Sequence, residues 1–133
     1  DYYGFDPAGK NIVVVGRSLV IGRPVSMMLQ ARNATVTMCP SKTVGIADIC
    51  KKADILIVAA GHENIVDENF VNQNQVVIDV GINLNDKGQI CGDVNFERVM
   101  PIVKAISPVP GGVGSVTTAV LCKHVIEAAE KNL

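Results

Sequence analysis

The sequence predicts an α/β, doubly wound fold: a mostly parallel sheet with helices on both faces. Three observations carry this. Short β-branched runs alternate with turns and amphipathic segments in a strand, turn, helix, strand rhythm. Three of the runs end in glycine, at Gly16, Gly61 and Gly81. Val and Ile make up about a quarter of the 133 residues while aromatics are 4%, a skew that suits strands packed beneath helices on both sides.

Asn11–Val15 reads as the first strand, closed by Gly16. The segment after Gly22-Arg23-Pro24 reads as a helix, with Val25, Met28 and Leu29 at helical spacing and Pro24 in the first turn, where a missing N–H costs nothing. Ala34–Met38 is a second strand, and Cys39–Thr43 a loop. A helix covers Val44 to Lys51, with Ile46, Ile49 and Cys50 on one face. Asp54–Gly61 is a buried strand, 67–71 one helical turn capped by Asp67 or Asn64, and Gln75–Gly81 another strand with its glycine. The pattern then changes to a hairpin turning at Asp86-Lys87-Gly88. A short helix (96–100), a short strand (103–107), the constrained loop 108–114 and a final helix from Ser115 or Val116 to about Lys131 complete one Rossmann-like domain.

The formal net charge of −1 excludes an electrostatic nucleic-acid or membrane-surface binder. No apolar run reaches a membrane span, and the N-terminus lacks the basic and apolar regions of a secretory signal. Cys39, Cys50, Cys91 and Cys122 are scattered without a CxxC, and only His62 and His124 are available to join them, so no zinc site or other metal site is expected. Isolated thiols point to a reducing, cytoplasmic setting, with Cys91 and Cys122 read as core thiols and His124 as structural. The chain begins with Asp and is read as a piece of a longer protein.

In open α/β sheets, ligands gather at the carboxyl ends of the strands. Glycines 16, 61 and 81 let backbone approach a ligand there. The turn Gly16-Arg17-Ser18-Leu19-Val20-Ile21-Gly22 is the best phosphate cradle, since the following helix offers unpaired N–H groups and a positive dipole end. Its spacing matches neither GxGxxG nor a Walker A loop, which argues against nucleoside triphosphate hydrolysis. After the second strand no carboxylate stands between Met38 and Lys42 to accept a ribose 2′-OH. Ser41 and Lys42, with Arg17 approaching from the first turn, suit a 2′-phosphate instead, so NADP is expected over NAD. Asp79 is read as bonding nearby backbone N–H groups. In Pro108-Val109-Pro110-Gly111-Gly112-Val113-Gly114 the prolines stiffen the entry and the glycines bare the backbone, a surface suited to a planar ligand.

These segments, together with Gly9-Lys10, Ala53-Asp54-Ile55, Val77-Ile78-Asp79-Val80-Gly81-Ile82-Asn83 and Gly92-Asp93-Val94, resemble the bifunctional methylenetetrahydrofolate dehydrogenase/methenyltetrahydrofolate cyclohydrolase family over nearly the whole chain. The resemblance implies that residues 1–133 are the C-terminal NAD(P)-binding domain, with the family's catalytic lysine and folate-stacking tyrosine in an N-terminal half absent from this chain. It implies cofactor contacts at Gly16, Arg17, Ser18 and Ser41, Ile82 and Thr117 at the nicotinamide end, and Pro110, Gly111 and Gly112 as a wall of the folate site. It also implies a homodimer, tetrahydrofolate bound through the other half, and hydride transfer from 5,10-methylenetetrahydrofolate to NADP followed by hydrolysis of the methenyl product. Two departures touch the site's margins: Pro40 stands where the family often has His, and Gly114-Ser115-Val116-Thr117 replaces the commoner Gly-Pro-Met-Thr. The chain alone is expected to be inactive; the alternative is a non-catalytic nucleotide-binding or assembly module with the same fold.

Overall fold

The computed structural model describes residues 2–131; Asp1, Asn132 and Leu133 lie outside the described residues. In chain order the elements are β1 (Asn11–Val15), α1 (Gly22–Ala31), β2 (Thr35–Cys39), α2 (Ile46–Lys51), β3 (Ile55–Val58), a 3-10 turn (Glu68–Phe70), β4 (Val76–Asp79), β5 (Asn83–Leu84), β6 (Ile90–Cys91), α3 (Phe96–Val99), β7 (Ala105–Ile106) and α4 (Val113–Glu130). Five strands form one sheet in the order β2-β1-β3-β4-β7, with every neighbouring pair parallel. The chain leaves β1 toward β2, then crosses back to β3 on the other side. That reversal opens a crevice at the carboxyl ends of β1 and β3.

Alternation along the strands divides the core into two layers. Ile12, Val14, Ile55, Ile57 and Val76 pack with Val25 and Leu29 of α1 on one face. Val13, Val15, Leu56, Val58 and Val77 pack with Ile46 and Ile49 of α2 and Val99 of α3 on the other. All four residues of β3 are buried, each contributing roughly 1.5–3 kcal/mol of apolar burial. Val15 is registered against Cys39 and Val58, and Val58 against Asp79, so the turns after all four strands emerge along a single rim.

Several details depart from the sequence reading. β2 lies one residue later than expected, and α2 starts at Ile46 because Gly45 stands in left-handed conformation just before it. β7 is only two residues long, paired with Val76 and Val77. Of the two candidate caps, Asp67 caps the 3-10 turn, accepting from the Asn69 N–H. The hairpin forms as expected between β5 and β6, with the Asn85 side chain accepting from the Lys87 and Gln89 N–H groups.

The final helix starts at Val113, ahead of the expected Ser115 or Val116. A glycine such as Gly114 is tolerated there, because first-turn N–H groups have no intrahelical partner to lose. None of the residues of α4 is buried, and Val116, Leu121, Val125 and Ile126 are 59–62% exposed. Two expectations are corrected as a result. Cys122 is exposed on α4 and Cys91 is half-buried on the hairpin, so the core thiols are Cys39 and Cys50. His124, also on α4, is exposed rather than structural.

Candidate functional site

On the β1 side of the rim, Gly16 takes a φ of 119° and its N–H donates to the Cys39 carbonyl, tying the first turn to the end of β2. A Cβ at Gly16 would run into the Ala59 carbonyl, and one at Gly22 into the Gly16 carbonyl. The turn is therefore packed against the exit of β3 and the start of α1 with no room for side chains. Ser18 closes the helix start: its Oγ accepts from the Ile21 N–H at 3.0 Å and the Gly22 N–H at 3.4 Å, and its carbonyl accepts from Arg23. This corrects the expectation of unpaired N–H groups at the helix terminus, which the Ser18 hydroxyl already occupies. Among the described residues, the open amides are those of Arg17, Ser18, Leu19 and Val20, one step earlier in the loop. Successive free backbone N–H groups are the donors from which anion-binding concavities are built. Arg17, Ser41 and Lys42 are exposed on the adjoining turns after β1 and β2.

On the β4 side the rim is built around two buried carboxylates. Asp79, 3% exposed, accepts from the Gly81, Asp93 and Val94 N–H groups. This is the backbone-bonding role read for it from the sequence. Asp93, fully buried, accepts from the Ala60 and Gly61 N–H groups through Oδ2 and from the Asn83 side-chain amide through Oδ1. The two segments interlock, because a Cβ at Gly81 would strike the Asp93 carboxyl group and one at Gly92 the Asp79 carboxylate. Burial raises the pKa of Asp79 above the ordinary carboxylate value, opposed by the three N–H donors and reinforced by the charge of Asp93. Ser107 joins the network from the residue after β7, its Oγ accepting from the Asp79 N–H at 2.8 Å.

Beyond this network an open cleft of about 250 Å³ lies between the turn after β4 and the loop after β7. Gly81 and Ile82 line one side and Pro110, Gly111 and Gly112 the other, joined by Ile90 of the hairpin. The Val109–Pro110 peptide is cis. Gly111 has a φ of 99°, which requires glycine, and a Cβ at Gly112 would meet the Pro108 carbonyl. Ile82 is 70% exposed, an aliphatic face presented at the mouth.

The sequence-predicted residues thus fall into groups along one rim. Gly16, Arg17, Ser18 and Ser41 lie at the β1 and β2 exits, Gly61 at the β3 exit, and Gly81, Ile82, Pro110, Gly111 and Gly112 around the cleft. Thr117 stands apart on α4, its hydroxyl donating to the Val113 carbonyl, while Ser115 and Thr118 line the cleft. Sequence reasoning missed Asp93, Asn83 and Ser107. The signal was the Gly-Asp pair at 92–93 following a hairpin, which mirrors the Asp-x-Gly at 79–81. Cys39 and Cys50 lie away from this chemistry; burial raises both thiols, that of Cys50 to about 12 with the Cys39 charge adding to it, so neither is a thiolate nucleophile. Among the described residues no three His, Cys, Asp or Glu side chains gather as a metal site, and no helix is long and apolar enough to cross a membrane.

A doubly wound parallel sheet with a glycine-walled crevice and open amides at its carboxyl rim defines a dinucleotide-binding class of domain. Comparison with known proteins narrows the class. The family model described as tetrahydrofolate dehydrogenase/cyclohydrolase, NAD(P)-binding domain, matches residues 1–133, and the chain belongs to that family. It is 53% identical over 131 residues to the bifunctional protein FolD of Clostridium botulinum (strain Okra / Type B1), covering 98% of this chain and 46% of that protein. With FolD of Carboxydothermus hydrogenoformans it shares 54% over 131 residues, covering 97% and 46%. Among solved structures, the FolD methylenetetrahydrofolate dehydrogenase/cyclohydrolase of Campylobacter jejuni superposes with a TM-score of 0.94 at 41% identity, covering 99% of this chain and 47% of that one. The Trypanosoma brucei enzyme, complexed with NADP cofactor and inhibitor, gives 0.85 at 37%, covering 94% and 45%. The chain spans about half the length of the relatives it matches.

Proposed function

We propose that residues 1–133 form the NADP-binding domain of a bifunctional methylenetetrahydrofolate dehydrogenase/methenyltetrahydrofolate cyclohydrolase acting in one-carbon folate metabolism. The observation that carries this reading is the loop at the β1 exit: open backbone amides from Arg17 to Val20, following a Gly16 that packs directly on the β3 exit, with no carboxylate on the neighbouring β2 turn. That cradle fits a 2′-phosphorylated dinucleotide. Gly16, Arg17 and Ser18 would hold the pyrophosphate through the loop backbone, with the Arg17 guanidinium and Ser41 at the 2′-phosphate and Gly61 forming the lip between the phosphates and the nicotinamide. Gly81 and Ile82 would border the nicotinamide, and Pro110, Gly111 and Gly112 would wall the folate. When bound, NADP supplies the hydride acceptor for the methylene group of 5,10-methylenetetrahydrofolate.

The chain's own share of the chemistry is orientation. The rigid rim fixes where the cofactor lies, and the bare glycine loop allows a planar substrate to come close, which is how holding two reactants in register accelerates transfer. No catalytic residue is assigned to this chain, and by this reading the chain alone turns over neither reaction. The exposed apolar residues of α4 support packing against the other half of a longer chain, and Leu84 and Ile90, 70% and 51% exposed on the hairpin, support pairing into a homodimer.

Arg17→Ala is the test. A guanidinium on phosphate contributes about 1.5–3 kcal/mol, so the variant should lose at least tenfold in NADP affinity while NAD affinity stays within twofold. Equal loss for both cofactors would move Arg17 away from the 2′-phosphate, and unchanged NADP affinity would remove it from the site.

A further inference from the structure

Asp93 and Asp79 are buried, and among the described residues neither meets a cationic side chain. A buried carboxylate held only by amide donors costs stability relative to an apolar filling. What Asp93 achieves at that cost is shown by its partners, none of which belongs to the sheet. Oδ2 receives the Ala60 N–H at 2.6 Å and the Gly61 N–H at 2.8 Å, fixing two successive peptides where the chain leaves β3. Oδ1 receives the Asn83 amide at 2.8 Å, at the far end of the turn after β4. Gly81 rests directly on the carboxyl group, so a shift of Asp93 is transmitted to Gly81 and Ile82, which line the cleft. One side chain therefore sets the spacing between the β3 lip and the β4 lip.

We propose that Asp93 is a positioning residue that, through Gly61, Gly81 and Asn83, holds the nicotinamide-side half of the cofactor site in its binding geometry. The proposal rests on the cofactor reading above. It assigns no contact between Asp93 and the cofactor; the carboxylate acts through the lips it joins. The phosphate loop at Gly16–Val20 makes none of these bonds; it touches the β3 exit through Gly16, which packs on the Ala59 carbonyl.

The test uses two ligands, NADP and adenosine 2′,5′-bisphosphate, which carries the 2′-phosphate end and lacks the nicotinamide. In Asp93→Ala the Ala60 and Gly61 N–H groups and the Asn83 amide all lose their acceptor. NADP affinity should fall about tenfold while the bisphosphate stays within twofold, measured well below the unfolding midpoint with folding checked by circular dichroism. Asp93→Asn keeps an acceptor for the Ala60 and Gly61 N–H groups and lets the Asn83 amide turn to accept from the new donor, so it should retain most of the affinity that Asp93→Ala loses. Asn83→Ala, which removes a single bond from a half-buried residue, should weaken NADP severalfold; it carries the test if Asp93→Ala does not fold. Unchanged NADP affinity in the two alanine variants, or equal loss of both ligands with no retention in Asp93→Asn, would overturn the proposal and leave the cofactor reading intact. Failure of the parent chain to bind either ligand would overturn both.

Discussion

The two sides of the binding rim are held together by different physics. On the β1 side a single hydroxyl, that of Ser18, organises an exposed loop whose remaining amides face solvent. On the β4 side two buried carboxylates gather amide donors from the exits of β3 and β4 and from the hairpin's return. The first arrangement leaves donors available to an incoming anion. The second consumes its donors internally and presents only backbone and aliphatic surface to the cleft. A site of this kind separates capture of charge from definition of shape, and each side should fail in its own way when disturbed.

The largest effect is expected at Gly92. A methyl group there would overlap the Asp79 carboxylate, and overpacking against a buried charge leaves no cheap relaxation. Gly92→Ala should lower stability by about 3 kcal/mol or more, read as a fall in the urea midpoint. A loss below about 0.5 kcal/mol would show that the interlock is loose and the contrast between the two sides overstated.

The pH dependence sharpens the comparison further. The pKa of Asp79 is raised in the folded state, so the native protein binds the proton more tightly than the unfolded chain. The stability linked to this group is fully present below the unfolded carboxylate value and is lost as pH rises through the higher folded one. Relative to Asp79→Asn, the parent should therefore be most favoured at the acid end and lose ground as pH rises, in urea titrations from about pH 4 to 7. A difference that grows with pH would mean that the N–H donors outweigh burial. On the other side of the rim, Ser18→Ala removes only a helix-start acceptor and should cost about 1 kcal/mol, the smallest of the three. A cost as large as that at Gly92 would erase the distinction.

Much of the sheet was legible in the sequence, because β1, β3 and β4 are continuous β-branched runs whose burial needs no long-range information. The strand-end glycines and the Pro108–Gly114 loop likewise announced the rim. What escaped was set by tertiary contact. Asp93 reaches Asp79 across a hairpin and Gly61 across the sheet, separations at which no local period operates. The Ser18 hydroxyl occupies the helix amides because the Gly16 turn folds it back, and spacing alone does not reveal that. On α4, the sequence reads Cys122 as a core thiol and His124 as structural, whereas the helix leaves both exposed.

Calorimetric titration of the chain with NADP and with NAD tests most directly whether the β1 loop is a 2′-phosphate-reading dinucleotide cradle. Saturable binding of NADP with NAD at least tenfold weaker is expected; equal affinity for the two, or binding of neither, would contradict that role.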